Sequence, residues 1–169
     1  MKIIVVDDYE QMSDKSAELL GNAVKSDPNA TLGLATGSTP LGTYARLVEA
    51  CACGEISFAA VRTCNLDEYV GLNADNVNSY AHYMRENLFD KIDIDIDNTH
   101  LPNGAAQDLE AECARYTELL ESMPQDIQLL GLGSDGHIGF NEPYSPFDGH
   151  THVVTLAEST VKDNSRLFS

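Results

Sequence analysis

The 169-residue sequence predicts an α/β fold, with an open, mostly parallel sheet and helices on both of its faces. Short apolar runs rich in β-branched residues alternate with segments in which apolar residues recur at helical spacing. Turn residues such as Asp27-Pro28-Asn29 separate the two kinds of segment. The sequence shows no internal repeat and no low-complexity linker, so we expect a single domain over residues 1–169.

Each expected element has its own local signal. The expected strands are short apolar runs, at residues 2–6, 32–35, 61–65, 127–130 and 152–156. The expected helices have apolar side chains three and four residues apart, over residues 17–24, 44–51, 80–88 and 109–120. Thr39 and Pro40 fit the N-cap and the first position of the second helix. Alternating strands and helices form a Rossmann-like sheet, which binds ligands outside the carboxyl ends of its strands.

The composition argues against several classes of protein. The formal net charge is -17, and ten Lys and Arg residues spread along the chain form no basic patch for nucleic acid. No apolar run approaches the roughly 20 residues that a membrane span needs. Acidic residues directly follow the short apolar run at residues 2–6, which argues against a signal peptide. We therefore expect a cytoplasmic protein with no nucleic-acid or membrane partner.

The first of three polar loops, residues 36–40, lies between an expected strand and an expected helix. Helix N-termini carry unpaired N–H groups and a partial positive charge, which favour phosphate or carboxylate. Gly37 would let a ligand approach the backbone, and Ser38 and Thr39 would add hydroxyl donors. An ordinary strand-to-helix turn with a threonine cap explains the same residues equally well, so both interpretations stay open.

The second loop, residues 65–72, begins with two adjacent carboxylates, Asp67 and Glu68, at the end of an expected strand. A carboxylate at such a position can act as a general base if burial raises its pKa toward the working pH. A helix cap or a solvated acidic turn is the commoner explanation for two adjacent acidic residues. Residue type alone does not decide between these interpretations.

The third loop, residues 131–143, contains the pattern GxGxxG at Gly131, Gly133 and Gly136. A dinucleotide-binding fingerprint has to open a long helix, and Gly139 and the prolines that follow it would break such a helix. We therefore expect a glycine-rich loop here and no dinucleotide cofactor.

The same loop carries Asp135, His137 and Glu142 within eight residues. A histidine flanked by two carboxylates can be held in one tautomer and tuned for proton transfer near neutral pH. The three side chains could also ligate a metal, but the 2-His-1-carboxylate and HExxH patterns are both absent from the sequence. The loop therefore favours a proton-transfer group that works without a metal.

Three runs of sequence resemble the signatures of the glucosamine-6-phosphate deaminase family. They are Ala35-Thr36-Gly37-Ser38-Thr39-Pro40, Asn65-Leu66-Asp67-Glu68-Tyr69-Val70-Gly71-Leu72 and Gly133-Ser134-Asp135-Gly136-His137-Ile138-Gly139-Phe140-Asn141-Glu142-Pro143. Their order and spacing fit as well, so the resemblance covers essentially the whole chain. In the related 6-phosphogluconolactonases the second run typically reads Asp-Glu-Arg, and the third continues from Asp-Gly-His into Thr-Ala-Ser. This chain follows the deaminase pattern in both places.

The resemblance implies conversion of glucosamine 6-phosphate into fructose 6-phosphate and ammonia without a cofactor. Asp67 matches the base that takes the proton from C2 of the sugar. His137 matches the group that moves a proton during ring opening, and Asp135 and Glu142 match its partners in that step.

The resemblance also implies how the substrate is held. Gly37, Ser38 and Thr39 match the substrate-holding loop, and Arg166 matches an arginine that grips the phosphate through its planar fork. Family members continue well past the position of Ser169, with further sheet and helix and a phosphate-binding lysine. We therefore expect a C-terminally truncated member of the family, and a poor catalyst as the chain stands.

Two other functions stay open on the sequence. One is a sugar-lactone hydrolase on the same scaffold, and the other is a non-catalytic sugar-phosphate-binding module. A pure binder would have no need of four titratable groups placed as they are here. His152 and Val154 occupy positions at which allosteric hexamers of the family carry basic residues, which argues against that effector site. An exposed strand edge would favour association into a homo-oligomer.

Overall fold

The computed structural model describes residues 1–133, 135–147 and 149–157 and is centred on a parallel sheet of four strands. In chain order these are β1 (Thr31–Leu34), β2 (Arg62–Asn65), β3 (Thr99–His100) and β4 (Ile127–Gln128). Their order in the sheet is β3-β2-β1-β4, and all three pairings are parallel. The chain thus moves outward from β1 to β3 and then returns to the other side of β1. This reversal makes the gap between β1 and β4 a topological switch point, where such sheets bind ligands.

In the described part of the chain, four helices connect and cover the strands. They are α1 (Tyr9–Ser26), α2 (Leu41–Ala52), α3 (Tyr80–Asn87) and α4 (Leu109–Ser122), and short 3-10 turns occupy Phe89–Lys91 and Ile96–Asn98. Side chains of Asp8, Ser79 and Asp108 accept backbone N–H groups in the first turns of α1, α3 and α4. Such caps satisfy donors that a helix start otherwise leaves free, so they fix where these helices begin.

The core lies on both faces of the central strand. All four residues of β1 are buried, and successive strand residues point to opposite faces of a sheet. Both faces of the sheet are therefore covered, which is consistent with the predicted α/β class with helices on both sides. Fully buried side chains from helices, strands and loops form one cluster, including Leu20, Leu32, Leu34, Tyr44, Leu47, Phe58, Val61, Met84 and Leu88.

Three local predictions are wrong. Residues 2–6 and 152–156 were expected to be strands, but in the part of the chain that the structure describes neither segment pairs with a neighbour. Ile3 and Val5 are 73% and 88% exposed, so these apolar side chains are not packed against a sheet. Thr39 does not cap α2, because the helix begins one residue later than expected and its N-cap position is Pro40, without a side-chain cap.

Candidate active site

Three loops leave the carboxyl ends of β1, β2 and β4 and meet at one edge of the sheet. The second and third loops touch where the Phe140 N–H group donates a hydrogen bond to the Asp67 carboxylate. The first loop joins them through α3, because the Tyr83 hydroxyl donates to the Gly37 carbonyl oxygen over 2.5 Å. The switch point of the sheet and the polar residues singled out by the sequence therefore coincide.

The first loop is held by tyrosine hydroxyls from two helices. Tyr83 of α3 takes the Gly37 carbonyl, and Tyr9 of α1 donates to the Ser38 carbonyl over 3.3 Å. The Tyr9 hydroxyl also accepts the Gly42 N–H group over 2.9 Å, which replaces the cap that Thr39 was expected to supply. Gly37 has a φ of 97°, a conformation that glycine adopts without strain.

Ser38 and Thr39 remain exposed beside the N-terminus of α2. With the nearby carbonyls bonded to tyrosine hydroxyls, this part of the loop presents hydroxyl groups and a helix start to solvent. That combination suits an anion, as the sequence suggested.

Asp67 is partly buried, and burial raises the pKa of its carboxyl to about 7. The negative charge of Glu68 raises that pKa further, while the Phe140 N–H group and His137 act in the opposite direction. A carboxyl with a pKa near neutrality can accept and release a proton at working pH. Asp67 therefore has the property that a general base requires.

The adjacent carboxylate has a different surrounding. Glu68 accepts the backbone N–H groups of Tyr69, Tyr80 and Ala81 over 2.8, 2.9 and 2.9 Å. Tyr80 and Ala81 are the first two residues of α3, so Glu68 is a cap on that helix. The helix-cap interpretation therefore applies to Glu68, and a general-base role for Asp67 stays a prediction.

Three aromatic rings form a wall beside Asp67, and the sequence did not indicate them as site residues. The ring centroids of Tyr69 and Tyr80 are 4.9 Å apart, as are those of Tyr69 and Phe140, and Tyr80 stacks on Phe140 at 5.6 Å. Burial raises the pKa of the Tyr80 hydroxyl above its usual range, and the Thr36 side chain hydrogen-bonds to it. Tyr80 was expected only as an apolar position of a helix, and nothing in its spacing distinguishes a site tyrosine from a core one.

The third loop fixes His137 through Asp135. The His137 Nδ1 atom lies 2.7 Å from Asp135 Oδ1, which also accepts the His137 backbone N–H group over 3.1 Å. These bonds to His137 hold the pKa of the Asp135 carboxyl below its usual value. Gly133 makes room for the ring, because a Cβ atom added there would lie 2.2 Å from the imidazole. The loop is therefore shaped around one imidazole orientation.

Glu142 completes the cluster. One potential ligand atom each from Asp135, His137 and Glu142 lie within 4.8 Å of one another. Glu142 also accepts the Ala157 N–H group over 3.0 Å, which ties the loop to the last described residues. Such proximity would suit either a proton relay or a cation, and the imidazole nitrogen nearest Asp135 is already engaged. The expectation that the site works without a metal stays a prediction.

The predicted site residues therefore fall into two groups. Gly37, Ser38 and Thr39 lie in the first loop, and the structure brings Asp67 into contact with the loop that carries Asp135, His137 and Glu142. Arg166, the expected phosphate ligand, lies outside the described residues.

A carboxyl with a pKa of about 7 beside a histidine–carboxylate pair, at the switch point of a parallel sheet, is an arrangement suited to acid–base chemistry on a Rossmann-like fold. A family model described as glucosamine-6-phosphate isomerases/6-phosphogluconolactonase matches residues 7–166. The chain belongs to this family.

Three proteins of this family that the chain resembles are glucosamine-6-phosphate deaminases. A glucosamine-6-phosphate deaminase from a Geobacillus species is 53% identical over 99% of this chain and 67% of its own length. The deaminase of Shouchella clausii is 54% identical over 99% of the chain and 68% of its length. A solved structure of a monomeric glucosamine-6-phosphate deaminase is 48% identical and superimposes with a TM-score of 0.96, over 98% of this chain and 69% of the other. The chain thus spans about two thirds of these relatives.

Among the described residues, no helix combines the length and the apolar character that are required to cross a bilayer.

Proposed function

We propose that the chain converts glucosamine 6-phosphate and water into fructose 6-phosphate and ammonia. The observation that carries this proposal is Asp67, whose carboxyl has a pKa of about 7 and faces the loop of His137. A base of that kind can abstract a proton from the carbon next to a carbonyl group, which is the demanding step of an aldose–ketose isomerisation. Membership of the family and about 50% identity to deaminases support the choice of substrate.

Substrate binding would begin with the phosphate at the first loop. Ser38 and Thr39 would donate hydroxyl hydrogen bonds beside the start of α2, and Gly37 would allow the close approach. We propose Arg166 as the matching cation. Binding energy from the phosphate would hold the sugar carbons at Asp67 and His137, where the reaction takes place.

Ring opening would be the task of His137. When Nδ1–H donates to Asp135, the Nε2 atom is left free to take a proton. Nε2 would accept the proton of the anomeric hydroxyl and return it to the ring oxygen, while the bond between that oxygen and C1 breaks. Glu142, in the same cluster, would stabilise the imidazolium that exists between the two transfers.

Isomerisation would be the task of Asp67. Its carboxylate would remove the C2 proton, while the C1 oxygen takes a proton from solvent and a C1–C2 double bond forms. Asp67 would then return its proton to the carbon C1, which becomes a CH2OH group, and C2 is left as an iminium. Water adds to that iminium, and ammonia and one proton leave, which yields the ketose. The proton released in this last step replaces the one that the C1 oxygen took up, so the sequence is balanced without a redox partner.

The test is to measure ammonia release and C2 hydrogen exchange in deuterated water. We expect the chain to exchange the C2 proton, and Asp67→Asn to lose that exchange by about 1,000-fold or more while substrate binding changes little. Asp75→Asn is the matched control, because Asp75 is an exposed carboxylate a few residues further along. Hydrolysis of 6-phosphogluconolactone without ammonia release would point to a lactonase. Binding without exchange or hydrolysis would point to a non-catalytic module.

The wider setting is also a proposal. We place the chain in the cytoplasm with a sugar phosphate as its partner, without nucleic acid or membrane, and in one domain. Self-association through the edge of the sheet remains a prediction that sedimentation would test, while one similar solved deaminase is described as monomeric.

A further inference from the structure

Glu68 lies where two structural elements meet. Through Oε1 it accepts the N–H groups of Tyr69 in its own loop and of Tyr80 in α3, and through Oε2 it accepts that of Ala81. The side chain is partly buried, and both of its oxygens are occupied. The carboxylate therefore joins the loop that carries Asp67 to the first turn of α3.

The helix held in this way contacts both other loops. Tyr80 hydrogen-bonds to the Thr36 side chain and stacks on Phe140, whose N–H group donates to Asp67. Tyr83, one turn further along, donates to the Gly37 carbonyl. A shift in the start of α3 would therefore move contacts to all three loops.

We propose that Glu68 is a positioning residue for the reaction, which fixes α3 so that Tyr80 and Phe140 keep Asp67 at the third loop. This inference rests on the proposed function, in which Asp67 is the base. Glu68 makes no contact with the reacting atoms in this scheme, because its oxygens point to backbone N–H groups. Glu68 acts through the position and the charge state of Asp67.

A positioning role for Glu68 can be told apart from a purely structural role, because the negative charge of Glu68 also affects the pKa of Asp67. Burial is the main cause that raises the pKa of Asp67, and the negative charge of Glu68 is the next. His137 in the third loop opposes both. Tyr80 of α3 and Tyr116 of α4 also face Asp67, but burial raises the pKa of each hydroxyl, so both are neutral near pH 7. Removal of the Glu68 charge should therefore lower the pKa of Asp67.

The decisive variant is Glu68→Gln. Its carbonyl oxygen can still accept from Tyr69 and Tyr80, but its NH2 group would face the Ala81 N–H group, donor against donor. We expect kcat to fall by about tenfold and KM to rise by less than that, because Tyr83, one turn further along α3, still donates to the Gly37 carbonyl of the proposed phosphate loop. The acid limb of the kcat profile should move to lower pH. Glu86→Gln, which removes an exposed charge from the same helix, should change neither quantity.

A second readout keeps the inference independent of turnover. A 13C NMR titration would follow the Asp67 carboxyl, assigned by the signal that is missing in Asp67→Asn, in the wild-type chain and in Glu68→Gln. A lower midpoint in Glu68→Gln supports the inference even if the wild-type chain releases no ammonia, which would count against the proposed function alone. An unchanged midpoint and an unchanged kcat would overturn the positioning role. Should Glu68→Gln not fold, Glu68→Asp keeps the charge and shortens the reach, and it should lower kcat while the acid limb stays in place.

Discussion

The ionised Asp67 carboxylate is withdrawn from water and lies next to the negative charge of Glu68. In the unfolded chain the pKa of this carboxyl has its ordinary value of 3.8, whereas in the folded state its pKa is about 7. The folded state therefore binds this proton more tightly than the unfolded state. Tighter binding of this proton stabilises the folded state; this contribution is fully present below pH 3.8 and is lost as the pH rises through 7. The raised pKa that would suit Asp67 to its proposed role as a base therefore lowers the stability of the folded chain at neutral and higher pH.

We therefore predict that Asp67→Asn is more stable than the wild-type chain at pH 8. The amide has no charge to desolvate and can still accept the Phe140 N–H group. The free energy of unfolding should rise on the order of 2 kcal/mol at pH 8 and change little at pH 4, measured by urea unfolding. An equal difference at both pH values would show that the ionisation of Asp67 is not the cause.

At the residue scale, sequence alone could name the acidic residues of the second loop but not divide their roles. The division depends on Phe140 and Ala81, which are distant in sequence and reach the two carboxylates only after folding. The contacts among the rings of Tyr69, Tyr80 and Phe140 likewise form only on folding. The spacing of Tyr80 is that of any buried helix position, so its contact with Phe140 was not predictable.

At the scale of single elements, the third loop is built around the His137 ring. An added Cβ atom at Gly133 would lie 2.2 Å from that ring, whereas at Gly131 it would meet nothing within 4 Å. We predict that Gly133→Ala displaces the imidazole and lowers kcat about 100-fold, because misplacement of about 1 Å costs that much. Gly131→Ala is the matched control and should stay near wild-type activity. Similar kcat values for the two variants would show that the His137 imidazole can take another position without loss of activity.

The first loop offers a second test at this scale. The Tyr83 hydroxyl holds the Gly37 carbonyl, so Tyr83→Phe should loosen the loop without touching Asp67 or His137. Loss of one such hydrogen bond costs about 1 kcal/mol, so we expect KM to rise about fivefold while kcat stays within about twofold. Steady-state kinetics checks this. A fall in kcat with unchanged KM would mean that Tyr83 serves the reacting carbons instead.

Helices and inner strands were predictable because their signals are local. Helical spacing and the caps at Ser79 and Asp108 belong to the segments themselves. A strand needs a neighbour, so the apolar runs at residues 2–6 and 152–156 could not reveal that no pairing forms there among the described residues. The start of α2 was missed for a related reason, because its cap comes from Tyr9, which lies 33 residues away from Gly42.

At the scale of the whole molecule, the dominant feature is a net charge of -17. A phosphate dianion approaches such a protein against a repulsive field, and in the proposed binding mode it is held by short-range donors at the start of α2. Ten basic residues against 27 acidic ones also leave the folded chain under self-repulsion, since folding brings the acidic side chains closer together. Both effects act over distances that dissolved salt can screen.

We therefore predict that salt stabilises this protein and assists its encounter with substrate. The Debye length falls from about 30 Å at 0.01 M to about 8 Å at 0.15 M, so repulsion between distant surface carboxylates is largely removed over that range. Tm at pH 7.5 should rise by about 2–4 °C, which is the shift expected for about 1 kcal/mol in a domain of this size. Choline chloride should act as well as sodium chloride, because screening depends on ionic strength and not on a bound cation. A rise seen only with sodium or a divalent salt would instead indicate a specific ion site, and the cluster of Asp135, His137 and Glu142 would be the first place to look for it.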